Sequence, residues 1–195
     1  MAIICAPFTN IAEANRLVGE LKLELEMGAQ DVSSHPEGKH TGETSARMLS
    51  ELVRYCLIGH SERRREFGET SQQVKEKSLF LIENAITPII CLDTPYLEEQ
   101  IRELIDGNVP FDRVIFAYEP VSAIGNGKAI DPRDAEMVAN RISFLTESQS
   151  RVVYGGSVTS DNVLDYVNKP HLSGVLVGTD SLTISSFVNI LKAIS

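Results

Sequence analysis

The chain has 195 residues, of which 43% are apolar, and its formal net charge is −9 at pH 7. This length and apolar content suffice for one sizeable hydrophobic core. The acidic balance disfavours nucleic acids and anionic membrane surfaces as partners. It leaves room for a small anionic substrate, because backbone dipoles can bind anions locally.

The cysteines and the lengths of the apolar runs indicate in which cellular compartment the protein works. Cys5, Cys56 and Cys91 lie in apolar runs without a CxxC spacing, which predicts buried free thiols in a reducing cytoplasm. The sequence has no Cys–His cluster with metal-ligand spacing, and we predict no metal and no cofactor. The N-terminus lacks the basic start of a signal peptide, and no apolar stretch approaches the roughly 20 residues of a membrane helix.

Short apolar runs alternate with amphipathic stretches along the chain. The predicted strands cover residues 2–6, 23–30, 55–59, 88–92, 113–119, 151–155 and 174–178. The predicted helices cover residues 10–20, 44–53, 71–86, 95–106, 132–147, 160–168 and 183–194. Thr70 and Gln73 have the spacing of a capping box at one helix start. Seven strand–helix units without a linker predict a single α/β domain over residues 1–195, with a parallel sheet that is open or closed into a barrel.

Glu119 lies where an apolar run meets a glycine-rich loop. The run Val114–Ala117 is typical of a strand buried on both faces, and Pro120 should end that strand. Gly125 and Gly127 then permit unusual backbone conformations. A carboxylate at the carboxyl end of a buried parallel strand, followed by such a loop, is typical of a general base under a closing lid. The alternative is a glutamate that caps the next helix or pairs with a surface arginine.

His60 follows a second apolar strand and precedes Ser61–Arg64, which can begin a short helix. A helix N-terminus disfavours the cationic imidazole, so a neutral N–H could polarise a substrate carbonyl. The alternative is a buried histidine that is hydrogen-bonded to the backbone. Two later strands end in glycines, at Gly155–Ser157 and at Gly178–Thr179. Such loops often bind phosphate through backbone N–H groups, although strand-to-helix turns also use glycine for purely structural reasons.

Several strings together resemble the triosephosphate isomerase family. They are GHSERR (59–64), AYEPVSAIGNGK (117–128), YGGSV (154–158) and GVLVGTDSL (174–182), with GAQDVS (28–33) and HTGETSA (40–46) nearer the N-terminus. They occur in the family's order over nearly the whole chain. The resemblance implies a shortened TIM-type (βα) barrel that converts dihydroxyacetone phosphate and glyceraldehyde 3-phosphate into each other without a cofactor.

The resemblance also implies roles for individual residues. Glu119 matches the base that moves a proton between adjacent carbons, His60 the neutral electrophile, and Glu62 an acid that supports the site. Ser61 and Tyr154 match neighbours of the closed lid. The positions that match phosphate ligands are Gly125, Ser157, Gly178 and Thr179. The positions that match the lid tip are Ala123, Ile124, Gly125, Asn126 and Gly127.

The sequence departs from the family pattern at four places. The family's first strand–helix unit is missing, because residues 1–6 match the second strand and no N-x-K pattern follows an N-terminal strand. The loss of that catalytic lysine predicts weakened activity. Ser122 replaces a hinge tryptophan, CLDT (91–94) replaces a Cys-x-Gly-Glu pattern, and Thr179 replaces a glycine.

Residues Gly38–Glu43 match the loop through which the family dimerises, so we predict a homo-oligomer that is a dimer or higher. A small phosphorylated sugar is the predicted substrate. The alternative function is a catalytically degenerate relative that binds a phosphorylated ligand, or only assembles.

Overall fold

Parallel strands alternate with helices in the computed structural model of the chain, which describes residues 1–123 and 127–194. The strands are β1 (Ala2–Ala6), β2 (Leu25–Ala29), β3 (Tyr55–Ile58), β4 (Thr87–Leu92), β5 (Ile115–Tyr118) and β6 (Arg151–Tyr154). The helices are α1 (Phe8–Leu21), α2 (Ala46–Leu49), α3 (Ser61–Phe67), α4 (Ser71–Glu83), α5 (Leu97–Asp106), α6 (Pro132–Leu145), α7 (Val163–Val167) and α8 (Ile184–Ala193). Short 3-10 turns cover Phe111–Arg113, Val121–Ala123 and Thr179–Leu182. This order confirms the predicted alternation of strands and helices.

The chain divides into two compact units. The first unit contains Met1–Ile90 and Arg102–Val114, and the second contains Cys91–Ile101 and the chain from Ile115 onward. The prediction of one domain over residues 1–195 stays a prediction.

The first unit is built on a parallel sheet in which β1, β2, β3 and the start of β4 are neighbours in that order. Cys5 of β1 is opposite Gly28 of β2, and a Cβ atom on Gly28 would lie 2.7 Å from the Cys5 Sγ. Glycine at position 28 therefore permits the close approach of the two strands. The predicted capping box is confirmed at the start of α4, where Thr70 Oγ1 accepts the Gln73 N–H at 3.2 Å and Gln73 Oε1 accepts the Thr70 N–H at 2.9 Å.

The second unit contains the end of β4 together with β5 and β6. All four residues of β5 are buried, as expected for a strand covered on both faces. Tyr118 of β5 is opposite Tyr154 of β6 in a parallel pairing. The Glu119 N–H donates to the Leu92 carbonyl at 2.8 Å, which places the ends of β4 and β5 side by side.

The predicted seventh strand over residues 174–178 is wrong, so the described residues contain six strands and not the seven that the sequence predicts. Val175 forms a single parallel bridge with Tyr154, flanked by two backbone hydrogen bonds. The pairing is short because Gly178, with φ −87° and ψ −107°, turns the chain at once into the 3-10 turn Thr179–Leu182.

The three cysteines are free thiols, as predicted, and Cys56 and Cys91 are buried, whereas Cys5 is only partly buried. Burial raises the pKa of Cys5 to about 12 and holds the pKa of Cys56 well above its usual value, so both stay protonated. Within residues 1–123 and 127–194, no helix is both long and apolar enough to cross a membrane. The same ranges contain no group of three or more His, Cys, Asp and Glu side chains that could hold a metal ion.

Candidate active site

His60 is the N-cap residue of α3 in the first unit. The chain leaves β3 at Ile58 and turns at Gly59, whose φ of +70° favours glycine. His60 Nδ1 accepts the backbone N–H of Glu62 at 3.3 Å. A ring nitrogen that accepts an N–H uses its lone pair, so this geometry suits the tautomer that carries its proton on Nε2. The Nε2–H is then a hydrogen-bond donor for a carbonyl oxygen.

The Glu62 carboxylate lies 3.7 Å from His60 Nδ1, and its side chain is 61% exposed. An ion pair at this distance would need a protonated Nδ1, whereas the helix N–H already uses the Nδ1 lone pair. The backbone hydrogen bond therefore accounts for the orientation of the ring better than an ion pair does. Glu62 contributes its N–H to the orientation of the imidazole, and the role of its carboxylate stays a prediction.

A buried ionic cluster holds the peptide that precedes His60. The Gly59 N–H donates to Glu69 Oε2 at 3.1 Å, and Arg64 Nε donates to the Gly59 carbonyl at 2.9 Å. Glu69 is itself paired with Lys77, whose Nζ also lies 2.7 Å from Asp31 Oδ1. Lys77 is 4% exposed and Glu69 is 7% exposed. These contacts fix the backbone turn that aims His60.

Glu119 follows β5 directly in the second unit and is 2% exposed. Its side chain packs on Gly155, the first residue after β6. A Cβ atom on Gly155 would lie 2.9 Å from Glu119 Cγ and 3.4 Å from Glu119 Oε1. Position 155 therefore has to be glycine for the Glu119 carboxyl group to occupy this place.

We predict that Gly155→Ala lowers catalytic turnover by about 100-fold, because an atom at 2.9 Å has to displace the Glu119 side chain. The free energy of unfolding should fall by roughly 1–3 kcal/mol from overpacking. Gly174→Ala is the matched control, since its Cβ atom would meet Val153 at an ordinary 3.6 Å. Urea unfolding and turnover would be measured for both variants. Equal turnover in the two variants would contradict the packing argument.

A 3-10 turn, Val121–Ala123, comes two residues after Glu119 and is held at both ends. Asp93 Oδ2 accepts the Val121 N–H at 3.2 Å. Ser157 Oγ donates to the Ala123 carbonyl at 2.6 Å. Ser157 has a φ of +48°, an uncommon conformation for a residue with a side chain. Ser157 is one of the predicted phosphate ligands, and its hydroxyl contacts the base of the predicted lid.

Two stacked tyrosines bind the segment that precedes α6. The rings of Tyr154 and Tyr166 lie 4.1 Å apart with an angle of 10° between their planes. Tyr154 Oη accepts the Ile130 N–H at 3.2 Å, and Tyr166 Oη donates to the Ile130 carbonyl at 2.6 Å. Burial raises the pKa of Tyr154, so the phenol stays neutral.

The remaining predicted positions lie mostly in turns. Gly178 precedes the turn Thr179–Leu182, and its carbonyl accepts both the N–H and the hydroxyl of Ser181. Thr179 is exposed, and Gly127 has a φ of +71°. Ser61 is buried at the start of α3. Ile124, Gly125 and Asn126 lie outside the described residues, so the lid tip stays a prediction.

The structure groups the predicted residues within each unit. His60 and Glu62 form one pair in the first unit, and Ala123 and Ser157 form another in the second. Sequence reasoning missed the contacts of Gly155 with Glu119 and of Asp93 with Val121. The sequence does contain a signal for Asp93, because it is a carboxylate directly after β4, just as Glu119 is a carboxylate directly after β5.

Polar side chains at the carboxyl ends of parallel strands, with glycine-bearing turns behind them, define an enzyme of the TIM-type (βα) class. The family model described as triosephosphate isomerase matches residues 1–194. The chain belongs to the triosephosphate isomerase family and is an isomerase.

Curated relatives agree with this assignment. The triosephosphate isomerase of Thermus thermophilus is 41% identical over 213 aligned residues, which cover 98% of this chain and 84% of the relative. That of Natranaerobius thermophilus is 37% identical over 211 residues, with 97% and 81% covered. That of Leifsonia xyli is 36% identical over 206 residues, with 95% and 80% covered. The resemblance that the sequence motifs indicated is thereby confirmed.

Proposed function

We propose that the chain interconverts dihydroxyacetone phosphate and glyceraldehyde 3-phosphate by proton transfer. The observation that carries the proposal is the placement of Glu119, a carboxyl group 2% exposed at the end of β5 and packed on Gly155. A carboxylate held away from water can remove a proton from a carbon next to a carbonyl group. The names of the relatives support the choice of substrate.

The proposed reaction has two proton transfers and needs no other reactant. Glu119 takes a proton from C1 of dihydroxyacetone phosphate while the C2 carbonyl oxygen gains negative charge. The His60 Nε2–H donates a hydrogen bond to that oxygen, which stabilises the developing charge. Glu119 then returns the proton to C2, and a proton moves between the two oxygens through His60, which gives the aldehyde. The triosephosphate isomerase family is the known example of this neutral-histidine arrangement.

Backbone N–H groups of the glycine turns would bind the phosphate group. Gly125, Ser157, Gly178 and Thr179 are the proposed ligands. The segment before Gly178 runs beside β6, because the Leu176 N–H donates to the Tyr154 carbonyl at 2.8 Å. This neighbourhood supports a shared anion site of the two turns within the second unit. A Cβ atom at Gly178 would meet nothing within 4 Å, so an anion can approach its backbone.

Weakened turnover is part of the proposal, because none of the strings in residues 1–195 that resemble the family contains its catalytic lysine. Loss of such a charge costs a factor of roughly 100 to 1,000 in rate.

A coupled isomerase assay tests the proposed function. The protein would be produced in a host without a triosephosphate isomerase of its own, and turnover would be measured in both directions. Turnover above that of an identical preparation without the protein supports the proposal. Phosphate binding by calorimetry with no turnover would instead favour the degenerate, ligand-binding alternative.

We further propose a cytoplasmic homo-oligomer that associates through Gly38–Glu43. Each residue of this loop is exposed in the single chain, and the free thiols suit a reducing compartment. Light scattering at micromolar concentration should give a mass above the 21.5 kDa of one chain. A mass of one chain across that range would refute the association.

A further inference from the structure

Asp93 directly follows β4 and is 7% exposed. Both of its carboxylate oxygens accept backbone N–H groups. Oδ1 accepts the Thr94 N–H at 2.7 Å, and Oδ2 accepts the Val121 N–H at 3.2 Å. The first bond orients the carboxylate on its own loop, and the second joins that loop to the turn after Glu119.

Glu119 and Pro120 are held from both sides by two consecutive residues. The Leu92 carbonyl accepts the Glu119 N–H at 2.8 Å, and the next residue, Asp93, accepts the Val121 N–H. Pro120 between them has no N–H, and its ring fixes its φ angle. Because the φ angle of Pro120 is fixed, less backbone rotation is available between Val121 and Glu119 to absorb a displacement at Val121.

We propose that Asp93 is a positioning residue, which fixes the turn Val121–Ala123 and thereby the direction of the Glu119 carboxyl group. The proposal rests on the proposed function, in which Glu119 is the base. Hydrogen bonds to an ionised carboxylate are stronger than those between neutral groups, which suits an anchor of this kind.

The hydrogen bond between Asp93 and Val121 lies where this chain departs from the family pattern. Where the family pattern has Gly-Glu, this chain has Asp93–Thr94, and Ser122 replaces the hinge tryptophan. Thr94 Oγ1 lies 3.4 Å from the Tyr118 hydroxyl, and the acid one position earlier binds the turn backbone. A side-chain carboxylate thus contacts the backbone of the hinge turn, and this contact does not depend on the residue at position 122.

The test compares Asp93→Ala with Asp93→Asn. Alanine removes both acceptors, and we expect kcat to fall by roughly 10- to 100-fold with KM changed less than about 3-fold. Asparagine keeps one acceptor oxygen and should restore part of kcat. Amide hydrogen exchange at Val121 should be about 10-fold faster in the alanine variant, since its acceptor is lost.

Thr146→Val is the control for general destabilisation. Thr146 is fully buried at the end of α6, and its Oγ1 donates to the Ile142 carbonyl at 2.9 Å. This variant should lose stability with kcat and Val121 exchange unchanged. Unchanged exchange at Val121 in Asp93→Ala, or an equal loss of kcat in Thr146→Val, would overturn the inference.

The exchange measurement separates the two proposals. If the unmodified protein shows no isomerase turnover, the proposed function fails, and faster Val121 exchange in Asp93→Ala still supports the anchor.

Discussion

Glu119→Gln should lower isomerase turnover by roughly 100- to 10,000-fold, the usual effect of removing a general base. Glutamine has nearly the same shape, so it can occupy the space beside Gly155 and keep the packing there. Its amide cannot accept the proton that leaves carbon. We therefore expect kcat to fall with little change in KM, because the interaction that is lost belongs to the transition state. The coupled assay measures both constants.

Glu98→Gln is the matched control for this experiment. Glu98 belongs to the same unit, but it pairs on the surface with Arg141 at 2.6 Å, and its side chain is 60% exposed. Turnover of this variant should equal that of the unmodified protein. Circular dichroism and thermal unfolding would show that both variants are folded. If Glu119→Gln were as active as Glu98→Gln, Glu119 would not be the base.

Lys77→Met should lower the free energy of unfolding by roughly 3–5 kcal/mol, the cost of leaving the buried Glu69 carboxylate without its ion-pair partner. The Lys77 Nζ pairs with Glu69 and Asp31, whose side chains are only 3% and 15% exposed. Methionine keeps most of the apolar stem and removes the charge. Because Glu69 also accepts the Gly59 N–H beside His60, kcat should fall as well. Urea unfolding at 25 °C measures the stability change.

A second lysine of α4 provides the comparison. Lys75 Nζ pairs with Glu103 at 2.8 Å, but the two side chains are 22% and 35% exposed. Lys75→Met should therefore change the free energy of unfolding by less than about 1 kcal/mol. Adding Glu69→Gln to Lys77→Met should recover part of the loss by removing one uncompensated charge. Equal losses for the two lysines would show that burial does not govern the effect.

Local signals predicted the elements that depend on neighbours in sequence. The capping box at Thr70 and the end of β5 before Pro120 follow from residues a few positions apart, and both were predicted. The position of His60 directly before a helix is also such a local feature, and it was predicted as well.

Features that depend on distant segments were not predicted. The contact of Gly155 with Glu119 joins residues 36 positions apart, and a glycine in a turn gives no sign of which side chain needs its space. The segment around Val175 has the composition of a strand, yet the turn at Gly178 limits its pairing to one bridge. Their positions at strand ends, and then the family resemblance, identified His60 and Glu119 as candidates, whereas the hydrogen bond of Asp93 became visible only in three dimensions.

Gly28 allows β1 and β2 to pair closely at Cys5, because glycine has no side chain. The sulfur of Cys5 occupies the volume that any side chain at Gly28 would fill. The sizes of residues 5 and 28 are therefore coupled during sequence change, because any side chain at position 28 requires a residue smaller than cysteine at position 5.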